Sequence, residues 1–254
     1  MVQAESVDPV WAMFSGGHDS LASTILASRH PNFAGVLHIH TGIGIEETRE
    51  FVHETCREHG WALIELRPTV SYEDLVLERG GFPGGPMAHN SMVWHLKQKP
   101  LSEWIKAGSF KSPVGLVTGI RTAESNRRAK SGIAIPIRKD GSRKVWISPI
   151  LDWTKQDCNV LIAREGFRRN QVVDVLHRSG ECLCGALARS GEIHDIDYWY
   201  PEVGERIHAL EVECENRGLK SCVWASRESV IDGQEQLFAK SEVLCSSCEA
   251  RYAD

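Results

Sequence analysis

The chain has 254 residues, 42% hydrophobic and 25% charged, which suits one core-bearing domain with an appendage better than two equal domains. A formal charge of −5 argues against a generally basic nucleic-acid binder, though Arg127-Arg128 and Arg168-Arg169 could still contribute to a local basic patch. No apolar run approaches membrane-spanning length, and Glu5 and Asp8 do not suit a signal peptide, so the expected location is cytoplasmic with no membrane partner.

In chain order, the apolar run Val10 to Phe14 reads as a first strand and Leu21 to Ser28 as a helix. Ala34 to His40 reads as a second strand, followed by a helix from about Glu46 to His59 that Gly60 ends. Glu46, Glu47 and Glu50 complement the positive end of that helix. Ala62 to Leu66 is a third strand. Gly80 to Pro86 is too rich in glycine and proline for a helix and reads as a loop. Helical stretches follow around Ser91 to Gln98 and Leu101 to Ala107, then a buried strand from Val114 to Thr118. Ala134 to Arg138 and Lys144 to Ile147 flank Asp140-Gly141, a hairpin signal. Beyond Pro149, Trp153 to Glu165, Gln171 to His177 and Pro201 to Asn216 read as helices, the last ended with help from Gly218.

Alternating strands and helices imply an α/β fold: a doubly wound, Rossmann-like parallel sheet covered on both faces, with ligands at the carboxyl ends of its strands. The expected division is an α/β domain over residues 1–178 and a helical, cysteine-rich region over 179–254.

Chemistry concentrates in Ser15-Gly16-Gly17-His18-Asp19-Ser20, between the first strand and first helix. The glycines let phosphate oxygens approach backbone N–H groups, and the helix aims its unpaired donors at the same point. Ser15 and Ser20 add hydroxyls.

The cysteines form the second constellation. Cys182-Leu183-Cys184 and Cys245-Ser246-Ser247-Cys248 are closely spaced pairs, able to present four thiolates to zinc or an iron–sulfur cluster. Buried or surface free thiols are the bland alternative. Cys214 lies on an apolar stripe with Ile207 and Leu210 and reads as core. His89, His95 and His194 show no spacing that selects a metal.

Four segments in order carry a family resemblance. They are Ser-Gly-Gly-x-Asp-Ser at 15–20, His38-Ile39-His40-Thr41-Gly42, Thr118-Gly119-Ile120-Arg121-Thr122-Ala123-Glu124-Ser125-Asn126-Arg127, and Ser148-Pro149-Ile150-Leu151-Asp152-Trp153 with Asp157. Together they resemble the phosphoadenosine phosphosulfate (PAPS) reductase-like branch of the adenine-nucleotide α-hydrolase, or PP-loop, superfamily. The resemblance implies that Ser15, Gly16, Gly17, His18, Asp19 and Ser20 line the pyrophosphate of ATP. It adds His40, Thr41, Gly42, Gly119, Arg121 and Arg127 as nucleotide-binding residues, with adenine contacts near His38 to His40.

Asp19 and Arg121 are the expected catalytic pair. A carboxylate beside phosphate needs Mg²⁺ between them, and a guanidinium grips phosphate or sulfate oxygens. A helix cap for Asp19 and an ion pair or solvated surface for Arg121 are the structural alternatives. His18 departs from the lysine common in relatives, so affinity would rise as pH falls if it touches the nucleotide. The C-x-C pair falls where iron–sulfur members of the branch place a cysteine pair. This implies a [4Fe–4S] cluster on Cys182, Cys184, Cys245 and Cys248, with zinc as the alternative.

By resemblance the enzyme binds ATP with Mg²⁺, releases pyrophosphate and adenylylates an acceptor for sulfur transfer. The acceptor would be a nucleic acid or a small molecule, and a sulfur- or electron-donor protein would serve it. A sulfonucleotide reductase acting on PAPS or adenylyl sulfate is the alternative, weakened by the complete loop and by Leu244-Cys245-Ser246-Ser247-Cys248, which lacks the family's catalytic cysteine segment. A non-catalytic nucleotide sensor is the third reading.

Overall fold

The computed structural model describes residues 7–124, 137–139, 143–186, 188–189 and 191–225. Among these, the strands are β1 (Val10–Met13), β2 (Phe33–Ile39), β3 (Leu63–Leu66), β4 (Val114–Val117), β5 (Ile137–Lys139) and β6 (Lys144–Ile147). They form one sheet in the order β3-β2-β1-β4-β6-β5. The first five in that order are parallel neighbours, and β5 pairs antiparallel with β6, as the hairpin signal predicts. The turn residues 140–142 lie outside the described residues.

The sheet has a core on each face because side chains alternate along a strand. Val10 and Ala12 of β1 face one way, with Val36 of β2, against α1 (His18–Ala27), α2 (Glu46–Glu58) and α6 (Lys155–Arg164). Trp11, Leu37, Ile39, Val114 and Leu116 face the other way, against Leu101 and Ile105 of α5 (Lys99–Ala107). Burial on both faces explains why β1 and β4 read as unbroken apolar runs.

A third cluster lies beyond the sheet. It joins α3 (Tyr72–Glu78), α4 (Gly85–Val93), α7 (Gln171–Leu176), α8 (Glu192–Trp199) and α9 (Pro201–Asn216) through Tyr72, Met92, Leu176, Ile196, Ile207 and Cys214. Leu183 and Trp224 enter the same cluster.

Three local differences from the sequence reading have physical causes. Helix α4 begins at Gly85, inside the expected loop, because Pro86 falls in the first turn, where its missing N–H costs nothing. The two helices expected after it are one continuous run, joined by a π turn at Trp94–Gln98. Pro100 follows that turn and has no N–H to return to the Leu96 carbonyl, so the wider turn suits it. Helix α3 was not expected from the sequence; Ser71 caps it, its side chain accepting from the Asp74 N–H.

The expected boundary after residue 178 falls on a strap that crosses back to the loop after β2. Ile45 donates to the Gly180 carbonyl at 2.8 Å, Thr41 Oγ1 to the Glu181 carbonyl at 2.7 Å, and Leu183 N to the Ile43 carbonyl at 2.8 Å. Thr48 Oγ1 donates to the Ser179 carbonyl. Asn170, 2% exposed, ties this strap to the phosphate-type loop, since its Nδ2 donates to the Gly16 carbonyl at 2.9 Å and to Thr48 Oγ1 at 3.0 Å. Its Oδ1 caps α7 by accepting from Val172 N. Asn170→Ala should therefore lower the unfolding free energy by about 1–3 kcal/mol, read as a lower urea midpoint with an unchanged slope.

Candidate nucleotide site and cysteine cavity

The strand order reverses direction between β1 and β4, which opens a crevice at their carboxyl ends. The loop after β1 and the loop after β4 meet there. Gly16 adopts φ +78°, a left-handed conformation natural to glycine, and a Cβ on it would stand 2.6 Å from Thr48 Cγ2. Gly17 is the N-cap of α1, whose first turn receives no side-chain cap bond. Ser20 Oγ donates to the Gly17 carbonyl at 2.8 Å, accepts from Ser15 N at 3.3 Å and lies 3.2 Å from Ser15 Oγ. Both hydroxyls are thus drawn into the loop itself.

Gly119 explains how the second loop reaches the first. A Cβ at that position would lie 2.6 Å from the Asp19 carbonyl carbon and 2.6 Å from Ser20 N, so only a glycine lets the two backbones touch. The approach brings Arg121 Nε to 3.0 Å from Asp19 Oδ2. The charges are close, yet that buried N–H is not aligned for a hydrogen bond with any acceptor. The Arg121 side chain is 8% exposed and the Asp19 carboxylate 23%. Cys158 on α6 adds a thiol beside this pair: burial, then the Asp19 charge, pushes it up to about 12.

His18 is 4% exposed, and neither ring nitrogen has a hydrogen-bond partner. Burial is the main cause that lowers its pKa, with Arg169 and Lys155 acting in the same direction and Asp174 and Asp19 opposing them. The imidazole is therefore neutral at pH 7. His38 is also buried and donates Nδ1–H to the Phe14 carbonyl at 2.9 Å. His40 is half-buried, and desolvation, then Arg67, lowers its pKa. Thr41 is buried with its hydroxyl on Glu181, and the Gly42 carbonyl accepts from Arg206 at 2.8 Å. Arg127, like Arg128, lies outside the described residues. Arg168 faces Glu54 and Glu58, and Arg169 faces Asp174.

Cys182 and Cys184 come together on a cavity of about 390 Å³ that is also lined by His89, Met92, Lys97 and Arg178. The neighbouring Cys182 thiol lowers the pKa of Cys184, helped by His89 and the Ala186 N–H, while Cys184 and burial raise that of Cys182. Lys97, from the π turn, donates to Glu181 Oε2 at 2.5 Å, and this pairing holds the ammonium charged against burial. Nothing in the spacing of His89 or Lys97 pointed to this cavity. Cys245 and Cys248 lie outside the described residues. Among the described residues no group of three or more His, Cys, Asp or Glu side chains is placed to hold a metal ion. With two of the four expected thiolates outside the described residues, no chemistry is derived through a cluster or zinc.

Because the Gly119 contact is backbone against backbone, Gly119→Ala must separate the two loops. The expected loss is about 1–3 kcal/mol of stability by urea denaturation, together with weakened binding of any ligand held between them.

Residues 9–204 match the family model described as the phosphoadenosine phosphosulfate reductase domain. Two uncharacterized proteins of Methanocaldococcus jannaschii are similar to this chain. One is 31% identical over 193 residues, covering 75% of this chain and 44% of the relative; the other is 28% identical over 206 residues, covering 78% and 40%. The chain thus spans less than half the length of these curated relatives. Among solved structures, the PAPS reductase of Candida auris in a phosphate complex aligns with a TM-score of 0.49 and 15% identity, covering 68% of this chain and 80% of that one. The FMN adenylyltransferase of Candida glabrata, with FAD and inorganic pyrophosphate, aligns with a TM-score of 0.48 and 12% identity, covering 65% and 52%. With the match running from β1 through the start of α9, the chain belongs to the phosphoadenosine phosphosulfate reductase domain family, within the PP-loop superfamily.

Proposed function

We propose that this protein binds Mg-ATP at the crevice between β1 and β4 and transfers the adenylyl group to an acceptor, with release of pyrophosphate. The observation that carries the reading is the junction of the two loops, where an uncapped helix start, Asp19 and a buried guanidinium N–H without an aligned acceptor share one small volume. Open donors and a cation suit an anion, and the carboxylate suits the metal that accompanies a polyphosphate.

Each residue has a role set by its chemistry. The first-turn N–H groups of α1 bind the β- and γ-phosphate oxygens, helped by the positive end of the helix dipole. Gly16 and Gly17 keep Cβ atoms out of that approach. Asp19 orients Mg²⁺, which neutralises charge that develops on the leaving pyrophosphate. Arg121 offsets the Asp19 carboxylate and offers its remaining N–H groups to the phosphates. An acceptor oxygen attacks the α-phosphorus as the bond to the β-phosphate oxygen breaks, and the electron pair leaves with pyrophosphate. The acceptor's adenylyl ester is then open to displacement by sulfur.

Calorimetry separates this reading from sulfonucleotide reduction. Mg-ATP should bind more than about tenfold tighter than AMP, a difference of about 1.4 kcal/mol, and Asp19→Asn should abolish that difference. Preference for PAPS or adenylyl sulfate over Mg-ATP would assign the pocket to a reductase. Tight Mg-ATP binding without pyrophosphate release, with candidate acceptors present, would assign it to a sensor.

The pH dependence follows from His18. The free protein holds this imidazole neutral, with its pKa below 6.5, and a nearby phosphate raises that pKa. Nucleotide binding then takes up a proton. Affinity should rise as pH falls through the pKa of the complex, by at most about tenfold per unit, and level off below the pKa of the free protein. His18→Ala should flatten this slope, and a slope identical to wild type would remove His18 from the phosphate site.

A further inference from the structure

The cysteine cavity is separate from the adenylylation chemistry, although the strap ending at Leu183 links the two. Leu183 is fully buried, its N–H bonds to the Ile43 carbonyl at 2.8 Å, and its own carbonyl accepts from Trp224 Nε1 at 2.7 Å. Leu183 and Cys184 are both buried in the core cluster beyond the sheet, and the half-buried Cys182 packs against it. The two cysteines also line one cavity together. The other described cysteines do not line it: Cys56, Cys158 and Cys214 are buried in the cores, and Cys222 donates to the Leu219 carbonyl.

The surroundings suit thiol chemistry better than packing. His89 lies against Cys184 with its buried Nδ1 unpartnered, and Arg178 donates to the Cys182 carbonyl. Glu181, next to Cys182, has one carboxylate oxygen on Lys97 and the other buried without a partner. A purely structural thiol pair needs neither an open cavity nor unpaired polar atoms beside it. A pair that exchanges partners needs room for a second sulfur compound and groups that can take and return protons.

We propose that Cys182 and Cys184 are a reversible dithiol–disulfide pair whose substrate is a disulfide admitted to the cavity. One cysteine sulfur attacks a sulfur of the substrate, and the substrate's S–S bond breaks to release the first thiol. The other cysteine sulfur attacks the mixed disulfide, forms the Cys182–Cys184 bond and releases the second thiol. The two protons from the cysteines leave with the two released thiols, so the protein is oxidised by two electrons and the substrate reduced by two. Closure requires the sulfurs to meet at about 2.05 Å. With Leu183 anchored on both sides, the small ring is strained and the disulfide is readily reduced again.

The test uses the full chain, purified without oxygen and analysed for iron and zinc, then treated with excess oxidised glutathione. The expected product has lost two titratable thiols and two hydrogens by mass, with the bond mapped to the peptide that contains Cys182 and Cys184 and reversed by dithiothreitol. The variant that keeps the attacking thiol, either Cys182→Ser or Cys184→Ser, should stop at a glutathione adduct. The wild-type mapping needs no variant to fold. Persistence of both thiols, bridging of either to Cys222, Cys245 or Cys248, or iron or zinc bound to them in the purified protein would overturn the proposal. Nucleotide calorimetry on the same oxidised and reduced samples reports on the adenylylation reading independently.

Discussion

The contact between the Gly119 backbone and the start of α1 is the constraint on which the crevice between β1 and β4 depends. A side-chain atom at residue 119 would stand 2.6 Å from the backbone at Asp19 and Ser20. Without that approach, β4 would still pair with β1, but its loop would pass the phosphate-type turn at a distance. Arg121 would then meet solvent instead of Asp19. The sheet supplies direction, because parallel neighbours deliver both loops to the same edge. The glycine supplies proximity, which for two charged side chains decides whether their interaction is strong or screened.

Support for this junction comes from far along the chain. Asn170 sits under Gly16, Ser179 accepts from Thr48, and Gly180 and Glu181 hold the loop after β2. These bonds join the first 50 residues to a strap near residue 180, so the phosphate-type turn is held from both sides. The same strap runs on into the cysteine cavity. One short segment therefore braces the loop at one end and carries two cavity-lining cysteines at the other.

Burial sets the protonation of the groups around these sites. His18 and His38 are enclosed and favour the neutral imidazole, whereas Glu65 stays ionised with its pKa lowered to about 2. Burial opposes that ionisation and is outweighed by hydrogen bonds from Arg49, His53 and Arg67. The Asp19–Arg121 pair is close without a well-aligned bond, so it is less settled than the Arg49–Glu65 pair, whose Nε donates at 2.7 Å. A pair with donor capacity left over is better suited to accept a third, anionic partner than one already satisfied.

The doubly wound sheet was legible in the sequence because its signals are local. β1 and β4 are unbroken apolar runs, Gly60 ends α2, and a glycine-rich turn precedes α1. The four motif segments were equally legible, since each is contiguous and keeps its order. The direction of Ser15 and Ser20, each bonded within its own loop, was not legible, nor was the burial of His18, because both depend on what packs over the turn. Lys97 and His89 gave no signal, since the cavity they share with Cys182 and Cys184 joins segments about ninety residues apart. Sequence by itself determined the strands of the sheet and the contiguous segments that carry the family match. Only the tertiary structure decided which of those residues meet and which are spent on holding the fold, because contacts between distant segments follow from packing and not from any local pattern.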